Sequence, residues 1–295
     1  MAARIFDDLD ALPEMAKRYV VAIGNFDGVH LGHKKLLAAA RRQANELGRP
    51  AGVMTFDPHP RRFFSGGREP FELSSLDMKA EYLEREGIDF IFVARFDNAF
   101  ASLSPEHFVQ SVLVKQLAAS HVVVGENYRF GRERRGDVRL LAQLGETAGF
   151  GVTPVCSLKD EEGSVYSSTR VRAALKEGRP DMAHEILGRP WEVTGYPDRS
   201  VPGAVSLSLG GKLRPAPGLY HVRVVPEGVC PSASQHLCET VGWVPKPEDG
   251  GDAAFHIACD LGAFRNRQIR VLLLSPVGQG YPAIEAEVEL SKIAT

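Results

Sequence analysis

Val20–Leu37, which reads VVAIGNFDGVHLGHKKLL, decides the fold of this chain. The apolar run 19–23 is short enough to be one buried strand, Gly24 and Gly28 make a turn, and a helical pattern follows. This order predicts a strand, a glycine turn and a helix N-terminus. Such a turn presents backbone N–H groups and the positive end of a helix dipole, and it therefore predicts a site for phosphate.

Two histidines, His30 and His33, lie on either side of Gly32 in this turn. A single histidine at a strand end is most often a capping or surface residue, but two imidazoles three residues apart can both face one phosphate. Neither histidine has nearby cysteines or carboxylates at the spacing that is typical of a metal site. Glycines, histidines and strand-to-helix context all favour phosphate binding.

The segment Gly24–His33 resembles the GxFDGxHxGH signature of the prokaryotic FAD synthetase family, within the wider HxGH nucleotidyltransferases, and matches it at every position. The resemblance implies a Rossmann-like α/β fold. It implies catalytic roles for His30 and His33 at the α-phosphate and departing pyrophosphate of ATP. The other ATP-binding residues that it implies in this segment are Gly24, Asn25, Phe26, Asp27, Gly28 and Gly32.

Composition sets limits on the class of protein. The 295 residues suffice for one large domain or two, and 44% hydrophobic residues is ordinary for a globular protein. A net charge of −2 disfavours a nucleic-acid-coating protein, so nucleic acid is not an expected partner.

The sequence shows no signal peptide and no apolar run of membrane-spanning length, so we expect a cytoplasmic protein with no membrane partner. Four dispersed cysteines form no CxxC pair and predict no zinc ribbon or disulfide framework: Cys156, Cys230, Cys238 and Cys259.

Strand and helix patterns alternate through the first half of the chain, which predicts a parallel sheet with right-handed crossovers. The helix after the first strand is expected to end at Gly48 as C′, and Ser104 to cap another helix with Pro105 at its first position. The predicted elements are helix Lys34–Leu47, strand Ala51–Phe56, helix Ser75–Glu86, strand Phe90–Ala94, helix Ser104–Leu117, strand Val122–Gly125 and strand Gly151–Val155.

Polar residues follow two of these strands, where ligands bind to open α/β sheets. Asp57-Pro58-His59-Pro60 predicts an extended loop, and Arg61–Pro70, with three arginines and two phenylalanines, is either a cover for an anionic aromatic ligand or a solvated loop. Glu126–Arg132, together with the VVG before it, resembles the family's VVGxDFxFGxxxxGD segment, with Asn127 and Tyr128 replacing Asp and Phe. The FMN-binding residues expected here are His59, Pro60, Arg62, Asn127 and Arg129.

Val165–Arg172 contains three aliphatic hydroxyl residues in a row, Ser167–Thr169, before a helical pattern with arginines in its first turns. The pattern is that of an anion site, although a simple N-cap would need only one of the hydroxyls. The stretch resembles the family's SSTxIR motif, and Ala183–Gly195 resembles the AxxLLGRPYxxxG segment. The resemblance implies a catalytic role for Arg170 and ATP binding by Ser167, Ser168, Thr169 and Arg172.

From about Arg189 short β-prone runs separated by Gly, Pro and Asp predict an antiparallel barrel or sandwich. The family has a riboflavin kinase β-barrel here, and Pro217–Val222 resembles its PxGVYxV strand. The predicted strands are Trp191–Thr194, Val205–Leu209, Gly218–Val225, His236–Trp243, Ala253–Cys259, Ile269–Ser275 and Ile284–Leu290.

Two departures from the family bear on kinase activity. Tyr196–Pro217 lacks the GxxLGxPTAN loop whose Thr and Asn hold magnesium and phosphate, and Ala254 stands where the family has a catalytic glutamate. A methyl group cannot accept a proton. A diverged barrel could instead use one of three other carboxylates: Glu239, Asp252 or Asp260.

The resemblance implies FAD synthetase activity, in which AMP passes from ATP to FMN. Expected domains are a nucleotidyltransferase over residues 1–187 and a riboflavin-kinase-like barrel without kinase activity over 188–295. Mg²⁺ with ATP is the expected cofactor, FMN and FAD are substrate and product, and metal ligands and oligomeric state stay open. Alternatives are adenylyl- or cytidylyltransfer to another phosphorylated acceptor, a bifunctional enzyme that retains riboflavin kinase activity, and a non-catalytic flavin- or nucleotide-binding regulator.

Overall fold

The computed structural model describes residues 3–8, 18–67, 70–198, 204–226, 238–246, 254–258 and 267–277. The chain divides into two compact units. The first comprises Met1–Glu69 with Ser75–Tyr166, and the second comprises Pro70–Ser74 with Ser167–Thr295. The functional domain boundary predicted after residue 187 stays a prediction.

The first unit is built on a six-stranded sheet, which confirms the predicted parallel α/β fold. Its strands are β1 (Arg4–Phe6), β2 (Val20–Ile23), β3 (Ala51–Asp57), β4 (Phe90–Arg95), β5 (His121–Gly125) and β8 (Gly151–Val155). Their order is β1-β4-β3-β2-β5-β8, and every neighbouring pair is parallel. A two-stranded ribbon of β6 (Arg129–Phe130) and β7 (Gly136–Asp137) lies outside this sheet.

Both faces of the sheet are covered, which is why β2 and β5 are nearly continuous apolar runs. Along β2, Val21 and Ile23 enter a core with Phe92 on one face, whereas Val20 and Ala22 enter a second core on the other. The helices are α1 (Leu31–Leu47), α2 (Pro60–Ser65), α3 (Leu76–Arg85), α4 (Asn98–Ala101), α5 (Pro105–His107) and α6 (Val138–Ala148).

The predicted helix ends are largely confirmed. Gly48 ends α1 in the left-handed conformation with φ 61°, and the Ser75 hydroxyl caps α3 by accepting from the N–H of Met78. Helix α1 begins three residues earlier than predicted because His30 itself caps it.

Two predicted segments differ in the structure. Residues Pro60–Ser65, expected to lie in a loop, form α2, because proline fits the first helical position and the His59 side chain accepts the N–H of Arg61. The predicted helix Ser104–Leu117 begins as α5, capped by Ser104, but continues as a π-helix over Phe108–Gln116. Strand β1 and helix α6 had no counterpart in the predicted elements.

The second unit contains a nearly closed antiparallel barrel and two helices, α7 (Ser168–Lys176) and α8 (Pro180–Leu187). Its strands are β9 (Trp191–Gly195), β10 (Val205–Ser208), β11 (Gly218–Pro226), β12 (Cys238–Val244), β13 (Ala254–Ile257) and β14 (Ile269–Pro276). They follow the order β10-β13-β12-β11-β14-β9. The two ends of this order approach each other, because Asp198, just after β9, exchanges two backbone hydrogen bonds with Ser206 on β10.

Six of the seven predicted barrel strands are therefore present. The predicted strand Ile284–Leu290 lies outside the described residues, as do Cys230, Asp252, Cys259 and Asp260. In the part of the chain that the structure describes, no helix has both the length and the apolar character needed to cross a bilayer.

Candidate functional site

The candidate site lies in the first unit, at the carboxyl ends of the central strands. From β2 the chain proceeds to β3 and β4 on one side and later returns to β5 on the other. Ligands of open α/β sheets bind outside such a reversal point, because the loops after the two neighbouring strands diverge there and leave a crevice. The segments that follow β2, β3 and β5 include His30, His59 and Asn127.

The turn between β2 and α1 has an unusual backbone. Phe26, Gly28 and Val29 have φ values of 48°, 77° and 39°. Glycine adopts this left-handed region readily, whereas each non-glycine residue held in it costs about 1–3 kcal/mol, and a β-branched residue such as Val29 is a rare occupant. The conformation is set by the surrounding protein, since Phe26 and Val29 are fully buried.

His30 ends this turn and caps α1. Its Nδ1 accepts the backbone N–H of His33 at 3.3 Å, so the neutral ring carries its proton on Nε2, where it can donate to an anion. The rings of His30 and His33 are stacked, with centroids 3.7 Å apart, and the Phe26 ring lies 5.1 Å from that of His33. The predicted pair of imidazoles is thus fixed as a unit at the helix N-terminus.

Gly32 permits this close packing. A Cβ at Gly32 would lie 3.0 Å from Cε1 of His30 and 3.0 Å from the carbonyl oxygen of Tyr166. Gly24 has a similar role at the start of the turn, because a Cβ there would lie 3.1 Å from the ring of Phe26. The glycines of the signature therefore make room for its aromatic side chains.

A cavity of about 670 Å³ opens beside the turn, within the usual range for a small-molecule site. Seven aromatic residues line it: Phe56, Phe64, Phe96, Phe100, Phe108, Tyr128 and Phe130. The polar and charged lining residues are Asn25, His59, Arg61, Asn127, Arg129, Glu133 and Arg134. Aromatic walls with three guanidinium groups and one carboxylate suit a planar aromatic ligand that carries negative charge.

Most of the residues predicted to bind FMN meet in this cavity. His59, Pro60, Asn127 and Arg129 line it together with Gly24 and Asn25 of the signature turn. Arg62 is not among the lining residues; it lies on α2, where its carbonyl accepts the N–H groups that end the helix at Gly66 and Gly67.

Local contacts fix the loop that carries Asn127. The backbone N–H of Ser157 donates to Glu126 Oε1 at 2.7 Å and holds the pKa of that carboxyl below its ordinary value. Beyond Asn127, burial raises the pKa of Tyr128 above its usual range, so its hydroxyl stays protonated at neutral pH. Asp137 caps α6 through the N–H of Leu140 at 2.9 Å, a bond that lowers the pKa of its carboxyl.

Phe96 and Phe100 of the cavity were not predicted, whereas Phe64 belongs to the Arg61–Pro70 segment, for which a cover for the ligand was one of the two predictions. Phe64, Phe96 and Phe100 form edge-to-face or tilted contacts with centroids 5.5–5.8 Å apart, and Phe64 remains 72% exposed. The sequence carries a partial signal for these three rings. The two phenylalanines of Arg61–Pro70 and those of the FDNAF segment (96–100) come shortly after the ends of strands β3 and β4. Arg134 had no such signal; its left-handed φ of 58° depends on the folded loop.

The hydroxyl-rich segment lies in the second unit at the start of α7. Ser167 is the N-cap and accepts the N–H of Arg170 at 3.3 Å, so one of the three hydroxyls serves as a helix cap, and the anion site stays a prediction. The Nε of Arg172 donates to the carbonyl of Phe71 at 2.8 Å, and its guanidinium lies 5.1 Å from the Phe71 ring centre. Arg172 therefore anchors the segment Pro70–Ser74 within this unit.

Two positions in the barrel bear on whether a carboxylate could act as the base of a kinase reaction. Ala254 begins β13 opposite Ser208 of β10, where the family pattern has glutamate. Glu239, one of the alternatives, accepts two hydrogen bonds from Arg223, at 2.9 and 2.6 Å, across the β11–β12 pair. Among the described residues, no group of three or more His, Cys, Asp or Glu side chains could hold a metal ion.

Comparison with known proteins gives the family. The sequence model described as FAD synthetase matches residues 12–170. The bifunctional riboflavin kinase/FMN adenylyltransferase of Escherichia coli (strain K12) is 35% identical over 225 residues, which cover 72% of this chain and 70% of that protein. The protein of the same name from Pseudomonas fluorescens is 40% identical over 176 residues, or 60% and 56% of the two chains.

A solved structure confirms the fold over nearly the whole length. The structure described as a macrolide-efflux protein from Streptococcus pneumoniae has a TM-score of 0.79, is 23% identical and covers 99% of this chain and 97% of its own. At this identity the likeness concerns the fold alone. The family match spans the signature turn, the aromatic cavity and the first residues of the SSTR segment, and on this ground the chain belongs to the FAD synthetase family.

Proposed function

We propose that this protein is an FMN adenylyltransferase, which transfers AMP from ATP to FMN and releases FAD and pyrophosphate. One observation carries the proposal: two residues of the turn that ends in His30, Gly24 and Asn25, also line the aromatic cavity. A phosphate-binding helix N-terminus and a pocket for a planar ring system thus share one loop, as the joining of a nucleotide to a flavin phosphate requires.

The reaction needs alignment and charge stabilisation more than covalent catalysis. A phosphate oxygen of FMN attacks the α-phosphorus of ATP, a new P–O bond forms, and the bond to the bridging oxygen of the β-phosphate breaks as pyrophosphate leaves. His30 and His33 stabilise the negative charge that develops on the α-phosphate and on pyrophosphate. His30 can do so through Nε2–H, because its Nδ1 is engaged by the helix backbone.

We assign the remaining ATP contacts to two groups of residues. The turn residues Phe26, Asp27, Gly28 and Gly32 shape the approach to the nucleotide. In the second unit, Arg170 neutralises charge on the reacting phosphates, and ATP binding is further assigned to Ser167, Ser168, Thr169 and Arg172. The hydrogen bond from Arg172 to the carbonyl of Phe71 gives that residue an anchoring role as well.

The flavin side of the site is the aromatic cavity. The isoalloxazine ring packs among its phenylalanines, and His59, Pro60, Asn127 and Arg129 contact the flavin or its phosphate. Arg62 remains assigned to this side through its place on α2. Magnesium bound with the polyphosphate of ATP would supply further charge neutralisation.

The barrel is proposed to lack riboflavin kinase activity. Ala254 cannot act as a base, and Glu239 is held by Arg223. We also propose that the enzyme acts in the cytoplasm, where ATP is available.

The main proposal, FMN adenylyltransferase activity, is tested by incubating the protein with ATP, Mg²⁺ and FMN and following FAD and pyrophosphate by chromatography. Steady formation of both supports FMN as acceptor, and absence of both overturns it.

A further inference from the structure

A buried hydrogen-bond chain stands directly behind the strained turn. Thr55 on β3 is fully buried, and its Oγ1 donates to the carbonyl oxygen of Asn25 at 3.1 Å. The ammonium group of Lys79 on α3 donates in turn to Thr55 Oγ1 at 3.3 Å, and this lysine is only 6% exposed. Lys79, Thr55 and Asn25 thus form a chain from the packed interior to the cavity wall.

The position of the last bond matters because of peptide geometry. The carbonyl of Asn25 and the N–H of Phe26 belong to one planar unit, so rotation of that carbonyl changes ψ of Asn25 and φ of Phe26 together. Phe26 is held at φ 48°, where a non-glycine residue is strained. Rotation of the peptide would relieve that strain, and the bond from Thr55 opposes it.

A lysine strengthens this restraint. An ammonium group that donates to a hydroxyl oxygen polarises the O–H bond, and the hydroxyl becomes a better donor to the next acceptor. Within a buried setting this effect is larger than in water, because the effective dielectric constant is lower. Lys79 can in this way strengthen the bond from Thr55 to the carbonyl of Asn25.

We propose that Lys79 and Thr55 are positioning residues that fix the Asn25–Phe26 peptide and, through it, the turn that presents His30 and His33. The catalytic part of this inference rests on the proposed adenylyltransferase function. Its structural part, restraint of the turn, does not. The two parts are tested by separate measurements on the full chain.

The structural test is hydrogen–deuterium exchange of residues 24–30 in the protein without substrate. Thr55→Val removes the hydroxyl while keeping a similar shape, and should speed exchange of these amides about 10-fold or more as local opening becomes easier. Thr55→Ser keeps the hydroxyl and should exchange nearly as the wild type. Thr153→Val is the matched control, since it removes a hydroxyl that contacts His121 on the same sheet, away from the turn.

The catalytic test measures kcat, KM for ATP and flavin affinity. Thr55→Val and Lys79→Met should each lower kcat about 10-fold and weaken flavin affinity less than that, because the turn presents both histidines but supplies only Gly24 and Asn25 among the many residues that line the cavity. Thr55→Ser should restore most of kcat, which loss of packing alone would not predict. The control Thr153→Val should keep the wild-type kcat.

The double variant Thr55→Val/Lys79→Met gives the sharpest outcome. Residues that act in series are non-additive, so the double variant should be no more than about threefold worse than either single variant. Additive losses, or unchanged exchange of residues 24–30 in Thr55→Val, would overturn the proposal. Should Thr55→Val fail to fold, Lys79→Met and Thr55→Ser carry the exchange comparison. A wild-type protein that makes no FAD would overturn the proposed function and leave the exchange result to decide the restraint.

Discussion

The stacked rings of His30 and His33, with centroids 3.7 Å apart, are held together by a hydrogen bond from the backbone N–H of His33 to Nδ1 of His30. One imidazole is therefore both a helix cap and a candidate catalytic group. This double use means that a simple alanine substitution at His30 mixes two effects, and that a substitution which keeps the cap can separate them.

His30→Asn should keep the cap and lose the imidazole. We expect kcat to fall about 100-fold or more with flavin affinity nearly unchanged, because the ring acts on charge that develops in the transition state. His33→Ala should behave alike. His30→Ala should also lose about 1 kcal/mol of stability with the cap, so its Tm should lie below that of His30→Asn. Loss of FMN binding alone in these variants would place the histidines on the wrong substrate.

Gly32→Ala should damage the site without removing any of its groups. The new Cβ would press within 3.0 Å of the His30 ring and of the backbone oxygen of Tyr166, and that oxygen belongs to the main chain and yields little. We expect kcat to fall about 10-fold or more as the imidazole pair shifts. Gly125→Ala is the matched control, because a Cβ there meets no atom within 4 Å. Equal activity of the two variants would contradict the packing argument.

Phe64→Ala tests the aromatic cavity. The ring lines the cavity while remaining 72% exposed, so little folding energy depends on it. Loss of a stacking surface worth about 0.5–1.5 kcal/mol should raise KM for FMN roughly 2- to 13-fold with kcat little changed. Tyr196→Ala, at a residue that is 70% exposed in the second unit, should leave both constants unaltered. An unchanged KM for FMN in Phe64→Ala would remove this residue from the flavin site.

Removal of divalent cations should abolish FAD formation. Magnesium binds readily to substrate phosphates, so the cation is expected to bind with ATP and to be lost to a chelator. Activity should return on addition of Mg²⁺ in proportion to the MgATP formed. FAD formation that persists in excess chelator would show that the protein's own groups suffice.

Riboflavin and ATP without FMN should give no FMN. Losing a general base costs about 10² to 10⁴ in rate, and the Thr-Asn metal loop is absent as well. A designed Ala254→Glu variant with an intact barrel should remain inactive, because the base alone does not restore the magnesium site. Enzyme-like conversion by the wild type would show that a diverged barrel recruits other carboxylates.

The sequence predicts much of this fold because its signals are local. The alternation of apolar strands and capped helices is present in residues such as Ser75 and Gly48, whose effect on the backbone does not depend on distant parts of the chain. The antiparallel strands of the barrel were likewise found from their spacing. Helix α2 was missed because two prolines suggest a loop, although Pro60 at a first helical position favours a helix.

The candidate site was predicted where motif residues carry it and missed where the fold assembles it. His59 and Asn127 were expected from their places after strands, and both line the cavity. The aromatic wall of Phe96 and Phe100, and the chain from Lys79 to Thr55, join residues from separate elements. No spacing in the sequence reports such a meeting, because it depends on strand order and helix packing.

The segment Pro70–Ser74 has a consequence for how this protein can be divided. It belongs to the second unit although about ninety residues of the first unit follow it. Trp191 Nε1 donates to the carbonyl oxygen of Leu73 at 3.0 Å, and the N–H of Leu213 donates to the carbonyl oxygen of Glu72 at 2.8 Å. A gene fragment that starts after residue 187 would leave both donors without these acceptors. The barrel cannot be exchanged between relatives by a single crossover without carrying this distant pentapeptide along.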